Sequence, residues 1–261
     1  MTETFDFGIV EYDFVESLDG KAIEIVAVNN NNGEGNNICG GKMQPDKVVF
    51  PSEINGLKVV SVKKRAFSPF TCNELFLPYG LTLSPRTFWS SGVAKVHIPG
   101  VKIIPESCFQ GSSLEELMDF GSVECVESAG FAFTSNLKAF KWFPNCCEIP
   151  TKCFAFSGIE LISNINNVPM IGIDAFRGSC IKEISLPDQC WIGGGCFAYT
   201  PISKISVDGD IFLHTDMFTG CSNRIKLTGC NNVTLQMDNH PSHKDDIFDI
   251  GFDSILVKVN D

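Results

Sequence analysis

Phenylalanine recurs along most of this chain at a nearly constant spacing, and that recurrence narrows the possible folds more than any other feature. Eight segments align on Phe67, Phe88, Phe109, Phe131, Phe154, Phe176, Phe197 and Phe218, at intervals of 21, 21, 22, 23, 22, 21 and 21 residues. Five residues before each stands an aliphatic: Val62, Leu83, Ile104, Val126, Ile149, Ile171, Ile192 and Leu213. The residue just before each is small (Ala66, Thr87, Cys108, Gly130, Cys153, Ala175, Cys196), with Met217 the exception. A unit this short cannot enclose a core alone, so it is stable only when its neighbours stack on it.

Between successive Phe residues a second pattern predicts a strand. Apolar residues alternate in LFLP at 75–78, VAKVHIP at 93–99, IKEISLP at 181–187 and ISKISV at 202–207. Period-two alternation buries one face of a short strand. The proline that often follows cannot donate to a ladder, so it ends the strand and turns the chain. One coil is then a strand, a proline turn, a short extended piece at the aliphatic, and a tight turn that inserts Phe. The expected fold is a mainly β solenoid with a parallel sheet on one face and short turns or 3-10 pieces elsewhere. Eight coils stacked at about 4.8 Å span about 38 Å. The 22 Phe against 3 Tyr and 3 Trp fit a dry interior column, where an aromatic without a polar handle is preferred. Each buried ring contributes about 1.5–3 kcal/mol of transfer free energy. A small neighbour leaves the ring its volume.

A solenoid must cover its ends. The expected division is an N-terminal cap over 1–45, the eight-coil solenoid over 46–227 and a C-terminal cap over 228–261, all one continuous domain. FDFGIVEYDF and AIEIVAV read as two cap strands joined at Asp19-Gly20, followed by an Asn-rich loop at Asn29–Asn32 with Gly33 and Gly35. NNVTLQM and SILVKV read as the C-terminal cap strands, linked by HPSHKDD at 240–246.

The net charge of −11, from 20 Lys and Arg against 31 Asp and Glu, repels phosphate backbones and anionic lipid, so neither nucleic acid nor membrane insertion is expected. The N-terminus has no basic region followed by an apolar run, which predicts a cytoplasmic chain as written, or a surface or secreted one if an export signal was omitted. Cys108, Cys153 and Cys196 share the small column with a different residue between them. Two coils separate their Cα atoms by about 9–10 Å, beyond the approximately 7 Å a disulfide bridges, so they are expected to be free buried thiols. Cys146-Cys147 should place one side chain inward and one outward. No C-x-x-C, P-loop, G-x-S-x-G or dinucleotide fingerprint occurs, and carboxylates are scattered singly, so no catalytic residue and no cofactor are expected. His240-Pro-Ser-His243 is too sparse to predict a metal.

The unit L-x-x-I-x-L-P…I-x-x-x-A-F resembles the BspA-like, Treponema-type leucine-rich repeat. VVFPSEINGLKVVSVKKRAF at 48–67 resembles the family's opening coil, and Phe218-x-x-Cys221 its turn. The resemblance spans about residues 9–227 and implies a leucine-rich-repeat solenoid. Members of that family are commonly cell-surface proteins of host-associated bacteria or protists, implicated in attachment to host proteins and other cells, so it also implies an adhesin-like role as an alternative.

A partner is expected on the outward face of the sheet. Nine residues after each Phe stand Phe76, His97, Met118, Ser163, Ser185 and Ser206; seven after stand Glu74, Lys95, Glu116, Leu161, Glu183 and Lys204. The C-terminal half reads as a solvated face. The N-terminal half sets Phe76, His97 and Met118 side by side, rimmed by Lys95 and Glu116, with Phe140 or Trp142 nearby in an irregular fourth coil. Such a patch suits a protein, or a carbohydrate. The weighed alternatives are coverage of the patch by the cap or a mate, a hydrolase on a solenoid frame using His97 or His243, and end-to-end self-association of coils.

Overall fold

The structure is a computed structural model that describes residues 1–18, 20–30, 45–221, 224–236, 248–250 and 256–260. Its core is a solenoid of about eight turns, almost all β, with Thr215–Phe218 a single 3-10 turn among the described residues. On one side lie the strands of the alternating segments. Lys47–Val49, Thr71–Phe76, Gly92–His97 and Glu116–Met118 pair in parallel. Further along, Ala139–Lys141 pairs with Leu161–Ser163, Glu183–Leu186 with Lys204–His214, and Lys204–His214 in turn with Ile225–Gln236. A second, narrow ladder consists of two-residue strands such as Ile103–Ile104, Cys125–Val126 and Met170–Ile171. In each, the second residue is the repeat's aliphatic and points inward.

The third side is the turn that carries Phe. All eight rings are buried and form one stack through the molecule. Centroids are 4.7 Å apart from Phe67 to Phe88, 5.0 Å from Phe88 to Phe109 and 5.8 Å from Phe197 to Phe218, with planes within 13° of parallel. The turn keeps its backbone satisfied by alternation. Arg86, Phe88 and Ser90 donate their N–H groups to Glu106, Cys108 and Gln110 of the next coil, while Thr87, Trp89 and Ser91 donate back within the turn. That geometry needs left-handed backbone on both sides of the Phe, as at Arg86 (φ 62°) and Ser90 (φ 54°). Three residues after the Phe runs a buried hydroxyl column, in which Thr134, Ser157 and Thr200 donate to the carbonyls of Phe131, Phe154 and Phe197. Neither the left-handed pairs nor the hydroxyl column is among the sequence expectations.

The small column is buried throughout, and Gly130 shows its tightness: a Cβ there would lie 3.2 Å from Val126 Cγ1. The eleven cysteines among the described residues are free, Cys146 being buried and Cys147 exposed. Burial pushes the thiols of Cys72, Cys146 and Cys190 up to about 12 and raises those of Cys108, Cys153 and Cys196 as well.

The ends differ in detail from expectation. Three N-terminal strands, Thr2–Phe5, Gly8–Ser17 and Gly20–Asn30, pair antiparallel, and the third runs parallel to Leu57–Val62 of the first coil. Asn29 and Asn30 belong to that third strand, opposite Ile9 and Gly8, rather than to a loop. The rest of the Asn-rich stretch lies outside the described residues, as does HPSHKDD with His240 and His243. At the other end Ile225–Gln236 extends the parallel sheet, and Leu256–Asn260 pairs parallel with it.

The fourth coil corrects two expectations. Its extra residue shifts the strand, so Ala139 pairs with Leu161, Phe140 with the inward Ile162, and Lys141 with Ser163. A slip of one residue exchanges the two faces of a strand. Phe140 is therefore 6 % exposed and Trp142 fully buried, its indole N–H donating to the Cys146 carbonyl at 3.2 Å. Both thicken the core around Phe131 and Phe154 and take no part in an exposed patch.

Candidate functional site on the sheet face

The register of the first four parallel strands builds two rows on the outer face. Val49 stands opposite Phe76, Phe76 opposite His97, and His97 opposite Met118. Two residues earlier on each strand, Lys47, Glu74, Lys95 and Glu116 form a second row in the same register. The apolar row thus borders a row of alternating charge. Lys95 Nζ lies 3.3 Å from Glu116 Oε2, a solvent-exposed pair that contributes little stability but fixes where each charge sits.

The rows are coupled through His97. Its ring stacks on Phe76 with centroids 3.8 Å apart, and the Lys47 ammonium sits 4.2 Å from the centroid of that Phe76 ring. The Nδ1 of His97 is 2.7 Å from Asp119 Oδ2 and its Nε2 is 3.0 Å from Glu74 Oε1. A neutral imidazole carries one N–H and donates to one of these carboxylates; the doubly protonated ring donates to both. His97 therefore ties three coils together. It is only 8 % exposed, so its expected place as an outward contact is corrected: its ring edges are taken up by Glu74 and Asp119, and it supports the patch from beneath.

What remains for a partner is Val49, strongly exposed, with Phe76 and Met118 half-buried and Lys95 and Glu116 beside them. Val49 and Lys47 are additions to the expected residues. Aligning on the proline turn instead of on Phe would have found Val49, because it precedes Pro51 by two residues as Phe76 precedes Pro78 and His97 precedes Pro99. The row has no continuation beyond Met118. In the fourth coil its place is taken by exposed Lys141, the outcome of the inserted residue, and the ladder between Glu116–Met118 and Ala139–Lys141 is interrupted. The patch is bounded on that side by the same slip that buries Phe140 and Trp142.

Among the described residues, no group of three or more His, Cys, Asp or Glu side chains is placed to hold a metal ion. A cavity of about 490 Å³ opens over Ser185, Ser206, Thr228 and Asp188 in the C-terminal half, away from the apolar row. Its lining mixes the hydroxyls of Ser185, Ser206 and Thr228 and the carboxylates of Asp188 and Asp208 with Leu186, Pro187 and Val207.

Comparison with known proteins settles the family. The profile of the BspA type leucine rich repeat region matches residues 46–160 and 147–240, in six copies. The chain belongs to the BspA-type leucine-rich repeat family. Among solved structures, a leucine rich cell surface protein from Faecalibacterium prausnitzii resembles this BspA-type chain with a TM-score of 0.65 at 15% identity, covering 90% of this chain and 70% of that one. A leucine-rich repeat protein from T. pallidum aligns over 90% of this chain and 86% of its own at 19% identity, with a TM-score of 0.40. One from Bacteroides ovatus aligns over 98% and 100% at 16% identity, with a TM-score of 0.35. At such identities the likeness concerns the leucine-rich repeat solenoid itself. No curated protein matches this BspA-type chain.

Proposed function

We propose that this BspA-type repeat protein is a non-catalytic recognition or scaffold module, and that the first four parallel strands of its sheet face hold a protein partner. One observation carries the reading: a short apolar row, Val49–Phe76–His97–Met118, runs in register beside the charge row Lys47–Glu74–Lys95–Glu116. An apolar centre supplies burial, and an adjoining charge pattern supplies orientation and partner choice. The hydrogen-bonded sheet beneath keeps both rows rigid, so little ordering cost accompanies binding. The N-terminal strands of residues 1–45 and the strands after 228 serve as the caps that keep this frame closed.

A photo-crosslinking side chain at Val49 should capture a partner that one placed at Ser206 does not. Phe76→Ser with Met118→Ser should weaken capture by about tenfold or more, the effect of losing central contacts, with little change in melting temperature. Equal capture from both positions, or capture unchanged in the double variant, removes this face from consideration.

A role at the cell surface, in the manner of an adhesin, draws on the description of the F. prausnitzii neighbour as a cell surface protein. No helix of the described residues is long and apolar enough to cross a membrane. Protease treatment of intact cells that make the protein tests the placement: cleavage supports the surface, and full protection with cleavage only after lysis supports the cytosol.

A further inference from the structure

The narrow ladder on the flank is interrupted between the fourth and fifth coils, and one residue is the cause. Where the ladder runs on, the residue after the repeat's aliphatic donates its N–H to the aliphatic of the coil before. Ser84 donates to Val62 at 3.0 Å, Glu127 to Ile104 at 2.8 Å, Gly172 to Ile149 at 2.7 Å and Gly193 to Ile171 at 2.8 Å. In the fifth coil that place belongs to Pro150, which has no N–H to give to Val126. Cys125–Val126 and Glu148–Ile149 accordingly lie in separate ladders. The sheet ladder is interrupted on the other side of the fourth coil, between Glu116–Met118 and Ala139–Lys141. Each ladder thus has a gap beside that coil.

Thiols gather at the gap that Pro150 leaves. Cys125 stands on one side of it and the vicinal pair Cys146-Cys147 on the other. Cys146 is buried, its Sγ 3.7 Å from the Val123 carbonyl oxygen, whereas Cys125 and Cys147 are both exposed. With residue 146 beside 123, Cys147 lies beside Glu124 and diagonally across from Cys125. At a strand spacing of about 4.8 Å and a rise of about 3.3 Å per residue, the Cα atoms of Cys125 and Cys147 are about 5.8 Å apart. A disulfide spans about 4.4–6.8 Å between Cα atoms, so this pair is within reach. Cys146 is one residue further off, at about 8 Å from Cys125, and is out of reach. Contacts on both flanks hold the register: Asn145 Nδ2 donates to the Gly121 carbonyl at 3.0 Å, and the Ala129 N–H to the Thr151 carbonyl at 3.0 Å. The matching gap at Pro105 has Thr82 and Lys102 in place of the two thiols.

Burial, the carboxylates of Glu127 and Glu148, and the neighbouring Cys147 hold the Cys125 thiol above its ordinary range. Cys125 therefore keeps its proton at neutral pH and reacts slowly by itself, so oxidation starts at Cys147.

We propose that Cys125 and Cys147 form a reversible disulfide that staples the fourth coil to the fifth, with hydrogen peroxide as the oxidant. The Cys147 thiolate attacks one peroxide oxygen and the O–O bond breaks, giving a sulfenic acid; the displaced hydroxide takes the thiol's proton and leaves as water. Cys125 then attacks the sulfenic sulfur. An S–S bond forms, the S–O bond breaks, and the hydroxide that leaves takes the Cys125 proton as a second water. The two thiols are oxidised by two electrons and the peroxide is reduced by two.

The test is to treat the reduced full chain with hydrogen peroxide, alkylate the remaining thiols and map the peptides by mass spectrometry. A pair joined through Cys125 and Cys147 of the same chain is expected, and dithiothreitol should release it. Cys125→Ser and Cys147→Ser should each abolish the link, and Cys180→Ser, at the third exposed thiol among the described residues, should leave it intact. Hydrogen exchange in the parent reads the staple without any variant. The amides of Ala129, Phe131 and Phe133 donate to Thr151, Cys153 and Ala155 between the same two coils, and should exchange about tenfold or more slowly after oxidation. A link through Cys146, a bond formed only between chains, Cys147 carried to the sulfinic acid with Cys125 free, or exchange unchanged by the link each overturns the proposal.

Discussion

Replacing Phe176 by alanine should cost about 3–5 kcal/mol of folding stability, close to the whole stability of many domains. Phe176 is fully buried, with Phe154 5.5 Å away on one side and Phe197 5.8 Å on the other. A cavity is cheapest where its walls can close, and here they cannot. The neighbouring rings belong to coils held apart by backbone hydrogen bonds from Phe154 to Ala175 and from Phe176 to Cys196. Because each coil is stabilised only by the coils beside it, the loss acts on both interfaces at once. Phe156→Ala is the control. Its ring is 47% exposed and stacks on Phe133, so its removal should cost about 1 kcal/mol or less. Urea unfolding followed by circular dichroism measures both; equal costs would mean that the stacked column does not hold the coils together.

Alkaline pH should unfold the protein through its buried thiols. Cys108, Cys153 and Cys196 are fully buried in the small column, and burial raises their pKa because the thiolate loses its hydration. In the unfolded chain a thiol titrates near about 8.5. Below that pH both states hold their protons, and the stabilising contribution is fully present. Above it the unfolded chain releases protons that the folded chain retains, so stability falls by about 1.36 kcal/mol per pH unit for each thiol. From about pH 8.5 to about pH 10, three such thiols together remove about 6 kcal/mol. Cys72, Cys146 and Cys190, raised to about 12, act in the same direction. Alanine already occupies the same column at Ala66 and Ala175, so a chain with Cys108→Ala, Cys153→Ala and Cys196→Ala should fold. Its urea midpoint should fall about half as far between neutral pH and about pH 10 as the parent's, because Cys72, Cys146 and Cys190 remain. Parallel pH dependence in the two chains would place the alkaline sensitivity elsewhere.

The two predictions rest on columns that were legible in different degrees. Phe at a fixed offset from an aliphatic and a small residue could be read because all three are chemically distinct from their neighbours and their spacing barely varies. The hydroxyl column was equally regular at Ser91, Ser112, Thr134, Ser157, Ser179 and Thr200, but Ser and Thr are common in turns and carry no sign of being buried. The left-handed backbone on both sides of the six Phe from Phe88 to Phe197 was marked by glycine at Gly111, Gly178 and Gly195 and hidden where Arg86, Ser107 or Lys152 adopts it.

By itself the sequence determined that successive turns stack, which side chains fill their interior, and that cysteines in the small column have no partner within reach. Periodicity carries that information, because a repeated offset becomes a spatial column whatever the details of the turn. Only the tertiary structure decided which face of the fourth strand is buried, since one inserted residue reverses the alternation and moves Phe140 and Trp142 from surface to core. It also decided that His97 is held between Glu74 and Asp119, and that Met170 and Trp191 stand opposite each other on the narrow ladder. Those facts depend on register between coils more than 20 residues apart along the chain, set by hydrogen bonds and packing across the stack.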